Sequence, residues 1–256
     1  MTTRMRSLTI NCRNSHNVEL KPSRFWAKRR PILIKFIKDV GPSVFGVQEC
    51  NATMAAEITH GLGANFSFWG SGTSKIMWDT NKWLVLDQFQ AGLPYKGVLG
   101  VPGVRPLTML KLKSITTEDF AWFASTHLAV HIPNQNAQQE AQMREIIRLI
   151  ELLPDHERVI IFGDFNNYHQ TSSVRKIAAD HGYVPLRKKA GLDHVTGETW
   201  NSFNFWTITK RESRWIDDVL TSPAVKPYLG ELRRTDSGVY VINASDHNGI
   251  RASVEF

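Results

Sequence analysis

The stretch Val159-Ile-Ile-Phe-Gly-Asp-Phe-Asn166 places four apolar residues directly before a glycine and two polar side chains. An apolar run of this length, bounded by turn residues, is typical of a strand buried on both faces. Glycine, aspartate and asparagine form turns, so the strand is expected to end at this point. The pattern therefore predicts that Asp164 and Asn166 lie at one edge of a buried sheet.

The same arrangement recurs along the chain, because several strand-like segments carry polar residues at one end. These are Asn11 after Leu8-Thr-Ile10, Gln48-Glu49 after Val44-Phe-Gly-Val47, Thr126-His127 after the apolar run 120–125, Asp217 within Arg214-Trp-Ile-Asp217, and Ser245-Asp-His247 before the last strand. Strand ends at one edge of packed sheets converge on one cleft. Carboxylates and carboxamides offer the hard oxygen ligands that Mg²⁺ prefers, and histidine suits proton transfer or contact with phosphate. Each residue taken alone is equally typical of a turn or of a solvated surface.

Helices are predicted between these strands. Trp26 to Val40 carries an apolar stripe and is stopped by Gly41-Pro42, Ala137 to Leu153 is stopped by Pro154, and Ser172 to His181 is ended by Gly182. Further strands are expected near 66–69, 74–79, 83–87, 107–113, 120–126, 215–220, 239–242 and 250–256. The segments 88–106 and 187–214 are expected to be long loops, and Arg29 and Arg30 are expected to lie on a helix far from the cleft.

Composition bounds the class of protein. The chain has 256 residues, of which 42% are hydrophobic and 21% charged, and this composition excludes disordered and collagen-like chains. No apolar run reaches the ~18–20 residues that span a bilayer, and the basic start has no apolar signal core. Two cysteines, Cys12 and Cys50, do not make a disulfide framework. We therefore expect a single domain over residues 1–256 that is soluble, monomeric and cytoplasmic, without a membrane partner.

The matching stretches taken together resemble the endonuclease/exonuclease/phosphatase family, which includes deoxyribonuclease I and the exonuclease III-like apurinic endonucleases. They are Ile10-Asn11, Val47-Gln-Glu49, Ser125-Thr-His-Leu128, Phe162-Gly-Asp-Phe-Asn166, Trp215-Ile-Asp217 and Ser245-Asp-His247. They extend from residue 10 to residue 247, and a Gly-Asp-Phe-Asn stretch with a downstream Ser-Asp-His is a specific combination. The resemblance implies an α+β fold, a four-layer α/β/β/α sandwich of two packed, mainly antiparallel sheets flanked by helices.

The resemblance also implies roles for these residues in a Mg²⁺-dependent reaction, with Mn²⁺ as a substitute metal. Glu49, Asn11 and Asp246 correspond to the metal site. Asp164 and Asn166 correspond to the residues that orient or deprotonate the attacking water. His247, paired with Asp217, corresponds to the histidine that faces the scissile phosphate, and His127 to the residue that contacts the phosphate or the leaving oxygen. Whether Asp164 or His247 is the base stays open.

One departure from the family concerns His127. Deoxyribonuclease I pairs this histidine with a glutamate from the middle of the chain, and residues 65–90 contain no matching glutamate. A role of His127 as general acid is therefore left open.

The charge and one aromatic segment point to nucleic acid. Thirty-one Lys and Arg against 24 Asp and Glu give a net charge of +7, which attracts polyanions. Residues 199–215 interleave aromatic residues, which stack on bases, with cations, which bind phosphate; burial of these aromatics in the core is the alternative. The candidate substrate-binding residues are Arg105, Trp200, Phe203, Trp206, Lys210, Arg211 and Arg214, with Arg187, Lys188 and Lys189 as further phosphate contacts.

We therefore predict a hydrolase that cleaves phosphodiester bonds of nucleic acid, a DNA endonuclease or exonuclease acting by in-line attack of water. A phosphatase or phosphodiesterase for a lipid, inositol or other small phosphate is the alternative within the family. A nucleic-acid-binding module with a dead site is the alternative from another class.

Overall fold

The protein is described by a computed structural model that covers residues 2–14, 25–96, 102–130, 134–167, 172–189, 216–232, 245–247 and 249–256. Its strands are β1 (Arg4–Asn11), β2 (Val44–Gln48), β3 (Phe66–Trp69), β4 (Lys75–Asp79), β5 (Trp83–Lys96), β6 (Pro102–Ser114), β7 (Phe120–His127), β8 (Val159–Asp164), β9 (Val184–Pro185), β10 (Asp217–Thr221), β11 (Lys226–Leu232) and β12 (Ile250–Glu255). Its helices are α1 (Trp26–Val40), α2 (Ala52–Leu62), α3 (Gln135–Glu151), α4 (Ser173–Asp180) and α5 (Leu186–Lys189).

Within these residues the strands form two six-stranded sheets. The first has the order β11-β12-β1-β2-β4-β3 and the second β5-β6-β7-β8-β10-β9. Strand pairs β1–β2 and β7–β8 are parallel, and the other pairs are antiparallel. The prediction of mainly antiparallel sheets is confirmed.

Three hydrophobic cores separate four layers. The first lies between α1, α2 and the first sheet, with Leu33 and Phe45 among its buried residues. The second joins the two sheets through side chains such as Ile76 and Phe162. The third lies between the second sheet and α3 and α4, where Ile146 is buried. The predicted α/β/β/α sandwich is thereby confirmed.

The helix ends follow from local chemistry. Gly41 ends α1 in the left-handed region at φ 64°, where glycine has no side chain to clash. Ser172 caps α4 by accepting a hydrogen bond from the backbone N–H of Arg175. The predicted helices at 26–40, 137–153 and 172–181 are present with shifts of about two residues or fewer, as is usual for helix ends. Helix α2, capped by Asn51, is an element that the sequence patterns did not indicate.

The predicted loop over 88–106 is wrong. Strands β5 and β6 continue through it as a long antiparallel hairpin, paired as far as Lys96 and Pro102. Alternate residues Phe89, Ala91 and Leu93 pack against the core beneath α3. Gly92 and Pro94 interrupt this alternation in the sequence. Strand β5 lies at the edge of its sheet among the described strands, and a strand at a sheet edge tolerates proline.

Among the described residues, no helix combines the length and apolar character required to cross a bilayer. The predicted strand at 239–242 and most of the predicted loop at 187–214 lie outside the described residues.

Candidate functional site

The strand topology brings the polar strand ends together. Asn11 and Gln48 are partners at the ends of the parallel strands β1 and β2, and His127 and Asp164 are partners at the ends of β7 and β8. Asp217 starts β10 opposite Asp164. The two sheets meet at this edge, because the side chain of Asn11 in the first sheet contacts Asp164 in the second.

Asp164 lies at the centre of the site and is almost completely buried. Its Oδ2 accepts a hydrogen bond of 2.9 Å from the Asn11 amide and lies 3.6 Å from Nε2 of His127 and 3.8 Å from Nε2 of His247. Its Oδ1 accepts the backbone N–H of Asn166 at 3.0 Å. Burial, followed by repulsion from Asp217, raises the pKa of Asp164, so its carboxylate holds a proton more tightly than one in water.

Glu49 is tied to Asp164 through Asn11. The Asn11 amide nitrogen donates to Oε1 of Glu49 at 3.1 Å as well as to Asp164, and Oε2 of Glu49 accepts the backbone N–H of Asn14 at 3.0 Å. Burial alone would raise the pKa of Glu49, but His127, these hydrogen bonds and His247 lower it to about 2. Glu49 also has a φ of 52°, a strained conformation that is common at functional sites.

His247 and Asp217 form a buried pair with 2.8 Å between Nδ1 and Oδ2. Burial alone would favour the neutral ring, but Asp217 and Asp164 outweigh it and raise the pKa of His247 to about 10. The hydroxyl of Ser245 accepts the backbone N–H of His247 and donates to the carbonyl of Asn11 at 2.6 Å. His247 is therefore a cation held rigidly beside Asp164.

His127 differs from His247 in its partners. Its Nδ1 is buried and has no hydrogen-bond partner among the described residues, in agreement with the absence of a matching glutamate in the sequence. Burial lowers the pKa of His127, although Asp164 and Glu49 oppose the effect and nearby Arg105 adds to it. The site thus pairs one cationic histidine with one whose neutral form is favoured.

Asp246 is buried and forms an ion pair with the partly exposed Arg13. Oδ2 of Asp246 lies 3.4 Å from Nη1 of Arg13, whereas its Oδ1 is buried and has no hydrogen-bond partner in the described part of the chain. Burial raises the pKa of Asp246. An unpartnered buried carboxylate oxygen costs free energy unless something binds it.

The donor set fits a hard divalent cation. Glu49 and Asp246 offer carboxylate oxygens, and Glu49 raises the pKa of Asp246, which shows that the two negative charges lie within electrostatic range. Asp164, Asp217 and His247 also have potential ligand atoms within 4.8 Å of one another, but a protonated His247 offers no lone pair to a metal. Two carboxylates, one of them with an unpartnered buried oxygen, suit a hard divalent cation.

Asn166 is held beside this cluster in a left-handed conformation, with φ 48°. Its side-chain amide donates to the carbonyl of Leu128 at 3.1 Å, so the segment after β8 is joined to the segment after β7. The predicted catalytic residues His127, Asp164, Asn166, Asp217 and His247 and the predicted metal residues Asn11, Glu49 and Asp246 therefore occupy one site.

The predicted substrate-binding residues divide into two groups. Arg105 lies near His127, with its guanidinium carbon 4.7 Å from the ring centre of Tyr95 and its buried Nε without a hydrogen-bond partner among the described residues. Trp200, Phe203, Trp206, Lys210, Arg211 and Arg214 lie outside the described residues.

Two expectations about cations are wrong. The ammonium of Lys189 donates to the backbone carbonyls of Thr221, Ser222 and Val225 at 2.5–3.2 Å and is therefore committed to the turn after β10. Arg29 is fully buried and donates to the carbonyls of Cys12 and Arg13, both at 2.7 Å. It supports the chain directly after Asn11 and does not lie far from the cleft.

Sequence reasoning assigned no role to three fully buried carboxamides that lie behind the site. Gln48 accepts from Thr9 at 3.3 Å and donates to Ser125 at 3.2 Å, and so links the two sheets. Gln139 and Gln142 are fully buried on α3. The available signal was their helical spacing with the apolar residues Met143, Ile146 and Ile150, which places two carboxamides on the buried face.

A model of the Endonuclease/Exonuclease/phosphatase family matches residues 8–247. Solved structures similar to this chain include a family protein from Bacteroides thetaiotaomicron, with TM-score 0.79, 20% identity and coverage of 100% of this chain and 99% of that one. A mannosyl-6-phosphatase from B. thetaiotaomicron VPI-5482 has TM-score 0.81, 19% identity and coverages of 98% and 100%. TDP2 from D. rerio, complexed with a single-strand DNA product, has TM-score 0.76, 16% identity and coverages of 98% and 99%.

Among curated proteins, the uncharacterized protein YbhP of Escherichia coli is 34% identical over 68 residues, which are 27% of this chain and 23% of that protein. The matched stretch therefore spans about a quarter of the length of this relative.

Proposed function

Because the chain belongs to the endonuclease/exonuclease/phosphatase family, whose members are hydrolases of phosphoric esters that generally depend on a divalent metal, we propose that it is a Mg²⁺-dependent phosphodiesterase acting on DNA, as an endonuclease or an exonuclease. The observation that carries the proposal is the convergence on Asp164 of three side chains from separate strand ends, Asn11, His127 and His247. Carboxylate, amide and imidazole groups in this arrangement suit attack of water on a phosphoester.

Asp164 is proposed as the general base that takes the proton of the attacking water. Its raised pKa makes it a stronger base than an exposed aspartate. His247 has its Nδ1 committed to Asp217 and favours the protonated form, so it is suited to hold a nonbridging oxygen of the phosphate rather than to accept a proton. Asn166, joined to Asp164 through its backbone N–H, is proposed to orient the water or the phosphate.

Glu49 and Asp246 are proposed to hold Mg²⁺, for which Mn²⁺ is a substitute. Asn11 donates hydrogen bonds to both Glu49 and Asp164, and its role is to fix the distance between these carboxylates. When bound, the metal neutralises the phosphate and stabilises the charge that develops in the transition state.

Arg105 and His127 are proposed to bind the phosphate on the side of the site formed by the second sheet. Both present buried nitrogens without a partner among the described residues, and an anion satisfies such groups. The net charge of +7 supports a polyanionic substrate, and the fold likeness to TDP2 complexed with a DNA product agrees with it. The aromatic and basic segment 199–215 is proposed as the wider contact with nucleic acid.

A small phosphoester is the second candidate substrate, because a mannosyl-6-phosphatase has the same fold over 98% of this chain. The two candidates are compared by incubating the protein with Mg²⁺ and end-labelled single- and double-stranded DNA and RNA oligonucleotides, one of which carries an abasic site. Sugar-phosphate, phosphoinositide and sphingomyelin substrates are incubated under the same conditions. Cleavage of a DNA oligonucleotide supports the proposal, and turnover of RNA alone or of small phosphates alone overturns it. Binding of nucleic acid without cleavage of any substrate identifies a binding module.

The catalytic roles are tested with Asp164→Asn. This change is expected to lower kcat by roughly 10²–10⁴-fold, because a general base contributes about that much, while the melting temperature changes little. Asp180→Asn is the matched control, since Asp180 is an exposed residue of α4 that pairs with Lys176. Equal activity of Asp164→Asn and the parent protein would contradict the proposed role.

Metal binding is tested separately from turnover. Mg²⁺ at 100 times its Kd is expected to stabilise the EDTA-treated protein by about 2.7 kcal/mol, and Glu49→Gln is expected to abolish this effect. Glu157→Gln, at an exposed position, is expected to keep it. A Mg²⁺-induced rise in melting temperature that survives in Glu49→Gln places the metal elsewhere.

A further inference from the structure

The buried face of α3 carries carboxamides as well as apolar side chains. Gln139 and Gln142 are both fully buried and lie about one helical turn apart. Buried carboxamides are costly unless every polar atom is satisfied. The hydrogen-bond partners of Gln139 and Gln142 therefore identify the segments that these side chains hold in place.

Gln139 joins the two segments that carry proposed catalytic residues. Its amide nitrogen donates to the carbonyl of Ala129 at 2.7 Å and to the carbonyl of Asn166 at 2.9 Å. Its amide oxygen accepts from the side chain of Asn167 at 2.7 Å. Both hydrogens and the oxygen are used, so this side chain is fixed in one orientation.

The segment that Gln139 holds has an unfavourable backbone conformation. Asn166 has φ 48°, and such a conformation persists only when the surroundings hold it. Its carbonyl also accepts from Gln135 at 3.0 Å, and the carbonyl of Asn167 accepts from buried Arg175 at 2.9 Å. Arg175 is itself fixed by Asp218, with 3.0 Å between Nε and Oδ2.

Gln142 provides a comparison within the same helix. It accepts the backbone N–H of Ala129 at 2.9 Å and donates to the carbonyl of Pro94 at 2.7 Å. It therefore holds the segment after β7 and the β5–β6 hairpin, and none of its bonds reaches Asn166 or Asn167.

We propose that Gln139 is a positioning residue for hydrolysis: by bonding the carbonyl of Asn166 and the side chain of Asn167 from a rigid helix, it holds Asn166 in the conformation that directs its backbone N–H to Asp164 and its side-chain amide to the carbonyl of Leu128. The proposal rests on the proposed function, and it adds a contribution of α3 to a site otherwise built from strand ends. Misplacement of a reacting group by ~1 Å costs up to about 10²-fold in rate, so loss of this support acts on turnover more than on binding.

The test compares Gln139→Ala and the isosteric Gln139→Glu with Gln142→Ala. Gln139→Glu keeps the shape but places an oxygen against two carbonyl oxygens. Both Gln139 variants are expected to lower kcat by about 10²-fold with KM changed by less than about threefold. Gln142→Ala removes a carboxamide of equal burial and is expected to keep kcat within about threefold of the parent.

Amide hydrogen exchange is measured on the same proteins and does not depend on activity. Gln139→Ala is expected to speed amide exchange in the peptide covering 164–167 by at least about tenfold. Without the Gln139 side chain, local opening of this segment no longer has to break its hydrogen bonds to Asn166 and Asn167. Gln142→Ala is expected to change only the peptides covering 94–96 and 127–129. Unchanged exchange at 164–167 in both Gln139 variants, or an equal loss of kcat in Gln142→Ala, overturns the proposal.

The two hypotheses fail in different ways. If the parent protein hydrolyses no phosphoester but the Gln139 variants speed exchange at 164–167, the proposed function is wrong and the support of Asn166 by Gln139 stands. If the parent is active and the Gln139 variants keep its kcat, the positioning role is wrong and the proposed function stands.

Discussion

Asp164 shows how one side chain can organise a site. It contacts Asn11, His127 and His247, each from a different strand end. The two histidines near it respond in opposite directions, because His247 has Asp217 at 2.8 Å whereas Nδ1 of His127 has no partner among the described residues. Identical residue types thus acquire different charges from their hydrogen-bond partners.

The charge of His247 predicts how stability depends on pH. Its pKa in the folded protein is about 10, above its ordinary value of 6.5, so the folded state binds a proton more tightly than the unfolded state. This contribution to stability is complete below pH 6.5 and is lost as the pH rises towards 10. In EDTA, the free energy of unfolding of the parent is therefore expected to fall more steeply between pH 6.5 and 10 than that of His247→Gln.

Denaturant unfolding at a series of pH values provides the measurement. The two proteins should approach each other in stability above pH 10, where the imidazole is neutral in both the folded and the unfolded state. Parallel curves over this range would show that Asp217 and Asp164 do not stabilise an imidazolium.

At the scale of elements, the site depends on how closely the two sheets approach. Gly46 of β2 lies against Phe162 of β8, and a Cβ built on Gly46 would lie 2.3 Å from the Cβ of Phe162. The next residues along these strands lead to Glu49 and to Asp164. Glycine at this position therefore allows the strand ends to meet across the interface.

Gly46→Ala is expected to destabilise the protein by about 1–3 kcal/mol or more, because an added methyl group in a packed core forces the backbones apart. The midpoint of denaturant unfolding measures the effect. Gly103→Ala is the control, since its Cβ would meet Cδ1 of Tyr95 at 3.2 Å on an exposed part of β6, and a change within about 0.5 kcal/mol is expected there. Similar losses in both variants would show that Gly46 is not a point of close approach.

At the scale of the whole molecule, the acidic site lies in a basic protein. The net charge is +7, whereas the carboxylates of Glu49, Asp164, Asp217 and Asp246 are concentrated in one place. For the proposed reaction, a basic surface would attract a polyanion from a distance, and the carboxylates would concentrate a divalent metal at the site.

This distribution predicts salt-dependent binding. The logarithm of the affinity of Asp164→Asn for a single-stranded DNA oligonucleotide, measured by fluorescence anisotropy, is expected to fall linearly with the logarithm of the salt concentration. The double variant Asp164→Asn/Arg105→Gln is expected to bind the oligonucleotide more weakly. The slope of log affinity against log salt concentration is expected to be smaller in magnitude by about 1, as for the loss of one phosphate contact. Lys35→Gln serves as the control, because Lys35 pairs with Asp39 on the surface of α1. If Arg105→Gln leaves the slope unchanged, Arg105 does not contact the phosphates of the bound DNA.

The sequence by itself determined most of the elements and the residue types of the site. Period-two and helical patterns predicted α1, α3, α4 and most strands, and the polar residues that close β1, β2, β7 and β8 predicted which side chains meet. These predictions succeed because a buried strand ends where its run of apolar residues ends, and the end of such a run is visible in the local sequence. It failed at 88–106, where Gly92 and Pro94 interrupt an alternation that packing against α3 restores.

Only the tertiary structure decided which groups hold the site in place and what charge each carries. Arg29 was expected to lie far from the cleft and is buried against the carbonyls after Asn11, and Gln139 reaches Asn166 from a helix that precedes it by one strand. The charges of His247 and His127 depend on how closely Asp217 approaches the His247 ring and on how deeply both rings are buried. These contacts join residues far apart in sequence, and their energies depend on distance and burial, which exist only once the layers are packed.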